Sequence, residues 1–92
     1  MVYLVAFNLQ NKRHHYDIFL DALQMTNWFN FFDNAWLIST DESAQEITER
    51  LERYIKEGDF LLVIRVTDEY YGLLPDEAWD WLQKERSSGK LQ

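Results

Sequence analysis

The sequence contains no cysteine, one proline and three glycines in 92 residues. Without cysteine there is no disulfide framework, no thiolate metal site and no thiol nucleophile. Three glycines leave almost no material for a phosphate-cradling loop. Positive charge is scarce too: nine lysines and arginines face sixteen aspartates and glutamates, a formal net charge of −7. Such a chain repels phosphate backbones at long range, which weighs against non-specific nucleic-acid binding. No apolar run is long enough to span a membrane, and the opening MVYLVAFNLQ has no basic segment ahead of its apolar residues. It reads as a strand rather than a signal, so a cytoplasmic protein without membrane contact is expected.

Apolar residues, by contrast, make up 47% of the chain and aromatic residues 16%. Surface of that kind must be buried, which excludes a disordered chain. The length suits one core, so residues 1–86 are expected to form a single domain and 87–92, SSGKLQ, a flexible tail.

Hydrophobic periodicity divides the domain into elements. VYLVAFN (2–8) is apolar at nearly every position and reads as a buried strand. From about Lys12 to Met25, Tyr16, Phe19, Leu20 and Leu23 recur at helical spacing, with Asp17, Asp21 and Gln24 on the other side. WFNFF and AWLIS are strand-like runs around Asp33-Asn34, a pair suited to a tight turn. Ser43-x-x-Glu46 has the form of a capping box ahead of the stripe Ala44, Ile47, Leu51, Tyr54 and Ile55. Glu46–Arg50, Glu49–Arg53 and Glu52–Lys56 stand in the favourable i,i+4 order, and Gly58 suits a C-terminal cap. FLLVIRV (60–66) is a fourth strand, and PDEAWDWLQKER opens a last helix with Pro75 in its first turn.

The order β-α-β-β-α-β plus a terminal helix predicts an α+β, ferredoxin-like antiparallel sheet. Right-handed crossovers put the first two helices on one face and the first and third strands in the centre. The other face is then anomalous. Leu4 and Ala6 oppose Tyr3, Val5 and Phe7; Ala35 and Leu37 oppose Trp36 and Ile38; Phe60, Leu62 and Ile64 oppose Leu61 and Val63. A sheet with one wet face should alternate apolar with polar, and this one does not. The second face needs cover from the terminal helix or from another copy of the chain. The expectation is a homodimer with Tyr3, Val5, Phe7, Trp36, Trp79 and Trp81 as interface residues.

VAFN at the end of the first strand, the hairpin, the capped second helix and LLVIRV resemble the small CRISPR-associated proteins of the second Cas type. That resemblance covers about residues 1–66 and implies a ferredoxin-like dimer with stacked sheets. YLV near the start, WLIST, and LLVI followed by LPDEAWDW are similar to a group of bacterial proteins labelled SinR-like, over nearly the whole chain. The label implies a transcription regulator, yet no helix-turn-helix is legible here. In the CRISPR-associated family, nuclease-competent members carry a metal-binding aspartate at the end of strand one. The matching position here is Asn8, and a neutral amide is a poor ligand for a hard cation.

The most basic stretch, Lys12-Arg13-His14-His15, falls at the start of the first helix, where cations oppose the helix dipole. Asn8, Asn11, Lys12, Arg13 and His14 form a candidate anion site for a phosphate or nucleic-acid group. A solvated charged loop is the simpler account of the same residues. His14, Asp17 and Asp21 share a helix face but match no metal motif, so no metal or other cofactor is expected. No catalytic constellation is present either. The reading is a non-catalytic, homodimeric interaction protein, with nucleic acid or another protein as further partners; the alternative is a metal-dependent nuclease of the CRISPR-associated type.

Overall fold

Strand β1 (Val2–Asn8) is rich in β-branched and aromatic residues, which suit a pleated, buried surface. The structure, a computed structural model, describes residues 1–10 and 14–87. After β1 come α1 (His14–Leu23), β2 (Asn27–Phe32), β3 (Ala35–Ser39), α2 (Ala44–Leu51), a 3₁₀ turn (Glu52–Tyr54), β4 (Phe60–Val66) and α3 (Asp76–Ser87). The strands form one antiparallel sheet in the order β2-β3-β1-β4. The architecture is α+β with β1 and β3 in the centre, as the element order predicts. Ser87, the first residue of the expected tail, ends α3, and residues 88–92 lie outside the described residues.

Both α1 and α2 lie on one face of the sheet. Phe19, Ala22 and Leu23 of α1 and Ile47 and Leu51 of α2 share a core with Tyr3, Val5, Phe7, Trp36 and Ile38. Phe7 meets Phe19 with ring centroids 4.8 Å apart, and the buried Tyr3 hydroxyl donates to the Glu42 carbonyl at 2.7 Å. The capping box forms as its spacing predicts. Ser43 Oγ accepts from Glu46 N at 3.1 Å, and Glu46 Oε1 accepts from Ser43 N at 2.8 Å. Glu46 is thereby drawn away from Arg50, which reaches Glu42 instead at 2.8 Å.

Two local expectations are corrected. The second helix tightens into the 3₁₀ turn after Leu51, so Tyr54 and Ile55 reach the core from a turn and an extended residue. Gly58 caps no helix. It sits at φ +91° in the next turn, closed by Asp59 N donating to Lys56 O at 3.0 Å, where a side chain would be strained. At the Asp33-Asn34 hairpin no non-glycine residue among those described takes a positive φ, so the usual two-residue hairpin turn is not used. The β2–β3 register instead shifts between Asn30 and Phe32, a bulge on the outer strand.

The second sheet face carries Val2, Leu4 and Ala6 of β1, in register with Val66, Ile64 and Leu62 of β4 and with Ser39, Leu37 and Ala35 of β3. Helix α3 covers only part of it. Leu82 is buried against Val2 and Leu37, while Trp79 and Trp81 flank the contact. Trp79 stacks on Tyr70 (6.1 Å, 18°) and Trp81 lies against Phe29 at 6.3 Å. Two positions apart on a helix is about 200°, and the buried row Ala78 and Leu82 falls in the remaining arc. Both tryptophans therefore pack on the same apolar cluster from opposite sides.

Candidate interaction surface

The face of β1 and β3 opposite α1 and α2 is built from small and large residues in an ordered row. Phe32 is registered with Ala35, Ala35 with Ala6, and Ala6 with Leu62, so small residues occupy the middle strands and large ones the edges. The result is a shallow groove of about 340 Å³ that Ala6, Asn8, Asn34, Ala35, Phe60 and Leu62 help to line. A second groove of about 290 Å³ runs between the sheet and the loop before α3, bordered by Leu4, Leu37, Phe32, Tyr71, Leu73 and Trp79.

Beyond α3 the face is uncovered. Phe60 is 68% exposed, Leu62 57% and Ile64 46%, consecutive same-face residues of β4. Tyr71 and Leu73 on the neighbouring loop are fully exposed. Apolar side chains of this size and contiguity mark interaction sites more often than ordinary solvated surface. β4 is also an edge strand, hydrogen-bonded to β1 alone within the sheet.

The predicted interface residues fall differently. Tyr3, Val5, Phe7 and Trp36 are buried beneath α1 and α2, in the chain's own core, and offer no surface to a partner. Period-two alternation separates the two faces of a strand but does not say which one the helices cover. Trp79 and Trp81 are half-buried and serve to dock α3. The residues that face outward, Phe60, Leu62 and Ile64, read in sequence only as part of a buried strand. Their exposure follows from α3, which packs on Val2 and Leu37 and leaves this part of the face uncovered.

Of the candidate anion site, Asn8 stands exposed at the end of β1, opposite Phe60. Asn11, Lys12 and Arg13, and the side chain of His14, lie outside the described residues. Among the described residues no group of three or more His, Cys, Asp or Glu side chains converges as a metal site. No described helix is long and apolar enough to cross a membrane.

Near Asn8 the structure does order one acidic residue. Asp59 is buried, and its two carboxylate oxygens accept from Gln10 N at 2.7 Å and Lys56 N at 2.9 Å. It ties the chain leaving β1 to the chain entering β4. No family model, curated protein or solved structure matches the chain.

Proposed function

We propose that the protein is a non-catalytic, ferredoxin-like interaction domain that works as a homodimer, with β4 as its contact element. The observation that carries this reading is the coincidence, on one strand, of an open sheet edge and three exposed large apolar residues, Phe60, Leu62 and Ile64. Free edges and apolar stripes are each liabilities that a monomer normally blunts with charge, proline or a covering element. In β4 the only charge is Arg65, and there is no proline. The strand order and the placement of α1 and α2 on one face support the ferredoxin-like assignment. Kinship with the SinR-like and CRISPR-associated groups is part of the same proposal and rests on the sequence resemblance.

Sedimentation velocity at micromolar concentration is the test. A species of twice the 11.2 kDa chain is expected. A single monomeric boundary at all concentrations would remove the reading.

A further inference from the structure

The two edges of the sheet are built in opposite ways. β2 carries Asn27 and Asn30 and a register break between Asn30 and Phe32, and the Asn30 amide donates back to the Phe32 carbonyl at 2.8 Å. A bulge with polar residues is a recognised device for keeping an edge from pairing with another chain. β4 has none of this. Its seven residues pair with β1 without a register shift, from Val2–Val66 to Asn8–Phe60. One edge is blunted and the other is left straight.

We propose that two copies of the chain join β4 to β4, antiparallel, about a two-fold axis at Leu62, making one continuous eight-stranded sheet. The inference rests on the homodimer reading and specifies how the second copy meets the first. A two-fold axis that reverses strand direction in one sheet must stand normal to it, so each residue meets a residue of its own face. With the axis at Leu62, Phe60 lies opposite the partner's Ile64 and Leu61 opposite the partner's Val63. Aromatic against β-branched is a favourable cross-strand combination, and the pairing occurs twice by symmetry.

The exposed apolar row selects this register among its neighbours. Phe60, Leu62 and Ile64 are the exposed apolar residues of the strand, and about Leu62 they meet only one another. Moving the axis to Val63 sets Arg65 against Leu61, and moving it to Ile64 sets it against Val63. Moving it to Leu61 pairs Arg65 with Glu57 but sets Ile64 against Gly58 and breaks the apolar row. Only the axis at Leu62 pairs the exposed Phe60, Leu62 and Ile64 wholly with one another.

The absence of cysteine makes the register directly measurable. Directly opposed residues of an antiparallel pair have Cα atoms about 4.5–5.5 Å apart, within disulfide reach of about 4.4–6.8 Å. Under mild oxidation Leu62→Cys should crosslink to itself at least ten-fold faster than Phe60→Cys or Ile64→Cys. Those two variants, mixed, should yield the heterologous disulfide. All three positions are about half exposed or more, so the substitutions leave the core intact, and circular dichroism checks that they do. A sedimenting dimer whose Leu62→Cys variant links no faster than the other two would overturn the edge pairing while leaving the homodimer in place. A monomer with no crosslinking at any position would overturn both.

Discussion

Arg50 grips Glu42 with two hydrogen bonds, Nε to Oε2 at 2.8 Å and Nη2 to Oε1 at 2.9 Å. Its remaining nitrogen, Nη1, donates to the Ala22 carbonyl at 2.7 Å. One guanidinium thus joins the loop before α2 to the end of α1. Both side chains are about a quarter exposed, so water weakens the pair without dissolving it. Replacing Arg50 with Ala leaves a carboxylate and a carbonyl short of donors. The expected loss is about 1–3 kcal/mol in urea unfolding.

The same pair sets an acid dependence. Hydrogen bonds from Arg50 hold the Glu42 carboxyl below the ordinary glutamate range; partial burial opposes this, and the Thr40 hydroxyl and the Arg50 charge add to it. A carboxyl that titrates lower folded than unfolded stabilises the fold fully above its unfolded pKa. The contribution is lost as pH falls through the folded value. Glu42→Gln should therefore cost stability at pH 7, and the gap between variant and parent should shrink as acid is added. A gap that stays constant from neutral pH down to pH 2 would show that the carboxylate charge contributes nothing.

Asp59 is expected to matter beyond its own turn. Removing its carboxylate in Asp59→Ala strands the amides of Gln10 and Lys56, at a cost of roughly 1–3 kcal/mol. Amide hydrogen exchange should quicken at both residues, one after β1 and one before β4. Faster exchange at Lys56 alone would mean that the link to Gln10 carries no weight.

Leu82 anchors α3, so Leu82→Ala should cost about 2–5 kcal/mol if the sheet cannot close over the space. The loss should be local. Trp79 and Trp81 would move into water and shift their emission to the red, while Trp28 and Trp36, 5.0 Å apart on the other face, keep theirs. Single-tryptophan variants separate the two pairs.

Much of this fold was readable because the chain changes hydrophobic period where it changes element. The capping box at Ser43 and the strand at Phe60–Val66 are clear examples. What period cannot convey is which face a helix will choose. Tyr3, Val5, Phe7 and Trp36 consequently looked like interface residues and proved to be core. Edge position is equally invisible in a single strand: Phe60, Leu62 and Ile64 are as apolar as a central strand would be. Their exposure comes from the reach of α3, which covers Val2 and Leu37 and stops short of them.

Asn8 bears on the alternative enzymatic reading. With a neutral amide at the end of β1, the purified protein is expected to leave short RNA and DNA intact in magnesium or manganese. Gel analysis of end-labelled oligonucleotides is sufficient. Cleavage that a chelator abolishes would restore the nuclease.

β1 holds the middle of the sheet, with Val2 in register with Ser39 on one side and with Val66 on the other. During synthesis it must therefore wait for its second neighbour, β4, which begins more than fifty residues after β1 ends. Contacts so distant in sequence slow folding, and a nascent chain in this state carries an unfilled central slot. A stalled or truncated product ending before Phe60 would present β1 itself, apolar on both faces, to other chains. The hazard of self-association would then pass from the outermost strand to the innermost.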